Sequence, residues 1–265
     1  MQIPETLIGT AMGTVIFPTL AALSELGDEH GKRDAMSGAL KFILIATIPS
    51  AVALILLGQP IIGLLERGAF DSSAAALVYS TLRFFALGLI VHSALEIVAR
   101  SFYADKDTLT PLFAAAGGAV INFVLAFLLS GITQVEAGDI SRSNVGGLAL
   151  ANSLGVAFEV IVLLWILRRR WHGANESQMA QTIMKTVIAS LVMAVVVVII
   201  NTIWEITGFV DRGLAFNVAQ VLTASLAGLI TFIVVANLLK MDEVKLLLGL
   251  LFRKLRPANS VPEVS

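Results

Sequence analysis

The sequence predicts an all-α fold, a polytopic membrane bundle of about seven transmembrane helices. Three observations carry that prediction. Of the 265 residues, 57% are hydrophobic and only 14% are charged, with a mean hydropathy of +0.88; a soluble domain carries about 25% charged residues. The apolar residues gather into runs near the roughly 20 residues that cross a bilayer core. Each run is too long for a barrel strand, so these segments must satisfy their backbone hydrogen bonds internally, as helices. The chain has no cysteine, which excludes disulfides and a Cys-ligated metal, and its histidines (His30, His92 and His172) are too scattered to form a His cluster. A net charge of −1 leaves no global basic field for nucleic acid.

In chain order the predicted spans are 3–23, 42–65, 74–99, 111–129, 145–167, 183–204 and 214–239. Lys and Arg distribution orients them. Lys32, Arg33, Lys41, Arg100, Lys106, Arg168, Arg169, Arg170 and Lys185 fall on one side, with Lys240, Lys245, Arg253, Lys254 and Arg256 of the C-terminal tail. The other side holds Arg67, Arg142 and Arg212, with Arg83 just inside a span. The first side is therefore expected in the cytoplasm, with the C-terminus inside and the N-terminus outside.

Met1-Gln2-Ile3-Pro4-Glu5 enters the first span almost at once, without the positive region or small-residue cleavage site of a secretory signal. Gln2, Thr6, Gly9 and Gly13 recur at helical spacing, with Thr10 and Thr14 beside them. Gly9 and Gly13 form a G-x-x-x-G pair that admits a close neighbour, and the hydroxyl-rich face suits a partner helix or a wet cavity better than lipid. The second span carries Pro49 and Pro60, which predict a kink, and 68–71 reads as a short external turn.

In the third span His92, Glu96 and Arg100 follow one another at i,i+4 and share a face. Intramembrane ionisable groups mark functional sites by default, and Glu96–Arg100 is the expected local pair. Between the third and fourth spans runs the most polar short connection in the chain, 100–111, where Thr110 is placed to cap the next helix and Pro111 suits its first turn. Asn122 sits near the centre of the fourth span and needs a partner across helices. In the fifth, Asn152 and Glu159 lie seven apart on one face with Gly155 between them; a carboxyl as deep as Glu159 must be paired, protonated or in a wet cavity. Asn122, Asn152, Ser153 and Glu159 together are the candidates for a cation-responsive cluster, interhelical hydrogen bonding being the plainer reading.

A basic loop, 168–185, separates the last two spans, which are more uniformly apolar and suited to lipid or a lipid-like groove. Beyond 239, Val244, Leu247, Leu248 and Leu251 alternate with Lys245, Arg253 and Lys254 in the pattern of an interfacial amphipathic helix. Residues 257–265 read as a disordered tail. No phosphate-cradling glycine loop, H-E-x-x-H or G-x-S-x-G pattern occurs, so the sequence offers no enzyme chemistry and no metal site.

Four ordered stretches go further. Phe102-Tyr103-Ala104-x-x-Asp107-Thr108-x-Thr110-Pro111 resembles the F-Y-A-x-x-D-T-x-T-P signature of the MurJ (MviN) lipid II flippase family, within the multidrug/oligosaccharidyl-lipid/polysaccharide exporter superfamily. Pro4 through Leu20 resembles that family's P-x-x-x-x-G-x-A-x-G-T-x-x-x-P-x-L helix, Arg67-Gly68-Ala69-Phe70 its R-G-x-F turn, and 147–154 its G-L-A-L-A-x-S-L run. The resemblance implies the eighth to fourteenth of fourteen spans: a partial C-lobe over 1–168, two C-terminal helices forming a lipid-tail groove over 169–240, and a cytoplasmic segment over 241–265. It implies a truncated C-terminal half of a flippase for undecaprenyl-diphosphate-linked peptidoglycan precursor, with the N-terminal lobe and membrane lipids as partners, no nucleic acid and no cofactor. Coupling is expected to the membrane potential or to a monovalent cation. Gln2, Thr6, Thr10 and Glu96 become substrate-cavity candidates. Asn122 matches a position thought to lie near a cation in some members, although Ala126 stands where an acidic partner would help. The competing readings are an exporter of another lipid-linked glycan or of drugs, and a non-transporting membrane half.

Overall fold

The computed structural model describes residues 11–65, 72–129, 145–171, 176–207, 214–241 and 243–244. Among these, seven helices follow in order: α1 (Ala11–Glu25), α2 (Glu29–Gly63), α3 (Ser72–Ala104), α4 (Leu109–Leu129), α5 (Val145–Arg170), α6 (Glu176–Ile206) and α7 (Leu214–Leu238). The six from α2 to α7 are long and apolar enough to cross a membrane. The shorter α1 is the described part of the first predicted span.

The helices overrun the predicted spans at the charged end. α2 begins at Glu29 rather than 42, because Asp28 caps it by accepting from the Gly31 N–H at 2.8 Å. Lys32, Arg33 and Lys41 are therefore helical residues and not loop. α3 continues through Arg100 to Ala104, α5 takes in Arg168–Arg170, and α6 starts at Glu176 with Lys185 well inside it. Hydropathy marks where the apolar stretch ends. It does not mark where hydrogen bonding ends, and an amphipathic or charged turn continues a helix past the hydrocarbon boundary. The predicted basic loop over 168–185 is thus largely helix.

Three helices stop at this end in the same way. Gly27, Lys106 and Lys240 adopt positive φ values of 68°, 58° and 51°. After α3, the Asp107 N–H donates to the Phe102 carbonyl and the Lys106 N–H to the Tyr103 carbonyl, each at 3.0 Å. This paired closure caps the final carbonyls of a helix through one left-handed residue. At the start of α4 the cap is Asp107 and not Thr110: one carboxylate oxygen accepts the Thr110 N–H at 3.0 Å and the other the Thr110 hydroxyl at 2.7 Å. Pro111 then falls in the first turn, where its missing N–H costs nothing.

α2 stands between two apolar cores. One face, with Met36, Leu40 and Ile43, packs with Leu20 of α1, Ile97 and Phe102 of α3 and Leu163 and Leu167 of α5. Its other face, with Ile45 and Leu57, packs with Met193 and Val197 of α6 and Phe232 of α7. α4 lies against α5, where Gly118 and Gly155 face each other so closely that a Cβ on Gly155 would stand 2.7 Å from the Gly118 carbonyl oxygen. The outer surface of α4 carries Phe113, Val120, Phe123 and Leu128, all exposed. That surface suits lipid, where apolar contact carries no solvation penalty.

Candidate functional site

The polar side chains of α3, α4 and α5 converge on two adjoining cavities. The larger, about 420 Å³, is lined by His92, Glu96, Arg100 and Tyr103 of α3 and by Glu159 of α5. The smaller, about 190 Å³, lies between α4 and α5 and is lined by Asn122, Asn152 and Glu159, with Gly118 and Gly155 at its wall. Glu159 belongs to both. The helical spacing of His92, Glu96 and Arg100 puts them on one face of α3, and the Gly118–Gly155 approach brings α4 near enough for Asn122 to join.

Partners are specific. The Arg100 guanidinium donates to Glu96 at 2.8 Å, the i,i+4 pair expected from the sequence. His92 Nε2 lies 3.1 Å from Asn152 Oδ1, sixty residues away in sequence. Because an amide oxygen only accepts, this nitrogen is the donor and carries the hydrogen. Arg100 lies flat against α1, where Gly13 leaves room: a Cβ there would stand 2.2 Å from Arg100 Nε. The predicted close approach at Gly13 is therefore that of a guanidinium, while Gly9 lies outside the described residues.

Ser153 stands apart from this cluster. Its hydroxyl is buried and donates to the carbonyls of Ala149 at 3.0 Å and Phe84 at 3.3 Å, on the α3-facing side of α5. Adjacent helical residues point about 100° apart, so Ser153 cannot share the face of Asn152. Gln2, Thr6, Thr10, the 67–70 turn and the amphipathic segment beyond Val244 lie outside the described residues. Among the described residues no three His, Cys, Asp or Glu side chains converge as a metal site.

A second polar constellation occupies the charged end of the bundle. The Asp105 carboxylate pairs with Lys32, which is buried, and accepts the Ser24 hydroxyl at 2.6 Å. Asp107 pairs with Arg170 at 2.5 Å. The ammonium of Lys32 lies 5.8 Å from the centre of the Trp171 ring, and the Arg170 guanidinium 5.1 Å from that of Phe102. The Thr110 N–H, together with its hydroxyl and the Arg170 guanidinium, lowers the Asp107 pKa from 3.8 to about 2. Two carboxylates separated by one left-handed lysine thus point to opposite sides, tying α1 and α2 through Asp105 and α5 through Asp107. Sequence reasoning left Asp105 unassigned, because its partners are 73 and 81 residues distant. The available signal was two acidic residues in a turn opposite isolated basic ones.

A third feature is apolar. A groove of about 400 Å³ runs between α2, α6 and α7, lined by residues such as Pro49, Leu57, Met193, Val197, Leu229 and Phe232.

Comparison with known proteins agrees with this arrangement. The profile of the family described as lipid II flippase MurJ matches residues 1–216. A curated relative from Rhizobium tropici, named "Probable lipid II flippase MurJ", is 32% identical over 205 residues, covering 77% of this chain and 37% of its own length. One of the same name from Synechocystis sp. is 28% identical over 260 residues, covering 95% of this chain and 46% of its own. A solved structure titled "Lipid II flippase MurJ, inward closed conformation" superposes with a TM-score of 0.64 at 26% identity, over 89% of this chain and 45% of that one. The chain thus spans less than half the length of each of these relatives. With a family profile matched over most of its residues and six membrane-length helices, this multi-pass membrane protein belongs to the lipid II flippase MurJ family.

Proposed function

We propose that this chain serves as the C-terminal half of a lipid II flippase, moving undecaprenyl-diphosphate-linked peptidoglycan precursor from the inner to the outer leaflet by alternating access. The observation that carries the reading is the match of 89% of the chain, in order, to a solved lipid II flippase. The physical task is to pass a charged, sugar-bearing headgroup across hydrocarbon while its lipid tail stays in an apolar environment. A bundle with an ionisable cavity inside and an apolar groove on another side meets both demands. In this reading 1–168 forms part of a C-lobe, 169–240 the tail groove and 241–265 a cytoplasmic segment, with an N-terminal lobe as partner. The protein works in the bacterial plasma membrane as a transporter and not an enzyme, N-terminus outside and C-terminus cytoplasmic. Gln2, Thr6, Thr10 and Glu96 are the substrate-cavity candidates of this reading, and of them Glu96 lines the larger polar cavity. Asn122, Asn152 and Glu159 form the coupling cluster, responding to a monovalent cation or to the membrane potential, with Ser153 as a packing neighbour.

The test is rescue of cells depleted of their own flippase. Joined to an N-terminal lobe from a relative, the chain should restore growth and lipid II appearance at the outer leaflet, whereas the 265 residues alone should not. A membrane-inserted, stably produced fusion that exports no lipid II would refute the reading and favour a non-transporting role.

A further inference from the structure

Glu159 is the one residue shared by both polar cavities, and of the two carboxylates that line them it is the one without an ion-pair partner among the described residues. In the larger cavity Glu96 is neutralised by Arg100, and His92 gives its Nε2 hydrogen to Asn152. Among the described residues Glu159 makes no ion pair. The titratable or charged groups facing it from α3 are His92, Glu96, Arg100 and Tyr103; α4 presents only the amide of Asn122. Glu159 lies eight residues before Leu167, the last apolar residue ahead of the charged turn Arg168–Arg170, about 12 Å along the axis, which puts it well inside a hydrocarbon core roughly 30 Å thick. An ionised carboxylate at that depth is costly without a counter-charge.

Either a metal cation or a proton answers such a charge. A hard metal cation takes several oxygen ligands. The other side-chain oxygens lining the smaller cavity belong to Asn122 and Asn152, and Asn152 Oδ1 is engaged by His92. A proton needs a single carboxylate oxygen. We propose that Glu159 is a proton-binding residue, loaded and unloaded through the cavity it shares with His92, Glu96, Arg100 and Tyr103. On loading, one Glu159 oxygen takes a proton from solvent in that cavity and becomes a neutral carboxylic acid; on unloading the proton returns the same way. What the proton drives rests on the transport reading above, but its binding does not.

The experiment is infrared difference spectroscopy of the whole chain in lipid nanodiscs, titrated from mildly acidic to mildly alkaline pH, without any lipid precursor. The expected result is a protonated carboxyl band that vanishes on alkalinisation, is lost in Glu159→Gln and persists in Glu96→Gln. Should Glu159→Gln fail to yield monodisperse protein, Glu159→Asp replaces it and must shift the band. A wild-type chain with no titrating carboxyl band overturns the proposal, as does a band unchanged in the Glu159 variants. So does a band removed by sodium at constant pH, which would make the occupant a metal cation. Loss of lipid II export with this band intact would count against the transport reading alone.

Discussion

Replacing Asp107 by Asn isolates the charge of the signature turn from its capping geometry. The Asn carbonyl still accepts the Thr110 N–H, but the ionic partner of Arg170, 2.5 Å away, is gone. The displacement of the Asp107 pKa from 3.8 to about 2, caused first by the Thr110 N–H and only in part by Arg170, corresponds to roughly 2.5 kcal/mol for an unscreened site and is an upper bound on the charge contribution. Arg170 is 40% exposed, so solvent screening leaves about 1 to 1.5 kcal/mol. For a chain of this size that lowers the unfolding midpoint by roughly 2–6 °C, read as thermal unfolding in detergent. Asp107→Ala removes the cap as well and should cost about 1 kcal/mol more. A double-mutant cycle with Arg170→Ala should return a coupling of about 1 kcal/mol. The pH dependence has a definite sign. Because folding lowers this pKa, the stabilisation is complete above about pH 4 and drains away as pH falls toward about 2. Over that window the wild type should lose its advantage over Asp107→Asn. A coupling near zero, with an unchanged gap between the two proteins across the window, would refute the clamp.

Three further predictions use the same thermal assay. Gly155→Ala puts a Cβ 2.7 Å from the Gly118 carbonyl and should cost about 1–3 kcal/mol by forcing α4 from α5, whereas Gly38→Ala, with nothing within 4 Å, should be neutral or gain about 0.5–1 kcal/mol in helix propensity. Lys106→Gly relieves a side chain held at φ 58° and should raise stability by about 1 kcal/mol, a loss showing instead that the lysine makes a contact of its own. Lys32→Ala strips the buried partner of Asp105 and should cost about 3 kcal/mol, while Lys32→Ala combined with Asp105→Ala should cost less than the sum of the singles.

Much of the architecture was readable from residues alone, because a bilayer imposes length and polarity on each span. The α3 face carrying His92, Glu96 and Arg100 followed from i,i+4 spacing, and so did the Glu96–Arg100 pair. Helix ends did not follow, since hydropathy reports burial in lipid and Asp28 or Asp107 caps a helix in the polar zone beyond it. Ser153 illustrates the limit of local reasoning: adjacent to Asn152 in sequence, it bonds toward α3 while Asn152 joins the cluster.

The sequence by itself determined that this is a polytopic helical membrane protein, which end of it is charged, and, through the signature over 102–111, its family. Only the tertiary structure decided what the turn carrying that signature does: Asp107 of the signature reaches Arg170, and Asp105, at one of its unspecified positions, reaches Lys32, residues separated from them by long stretches of chain. It also decided that Glu159 joins two cavities, because the close packing of Gly118 on Gly155 is a relation between helices. Span length and charge are properties of segments, and a segment carries them in its own composition. Which carboxylate finds a counter-charge depends on distances that exist only once the helices have packed.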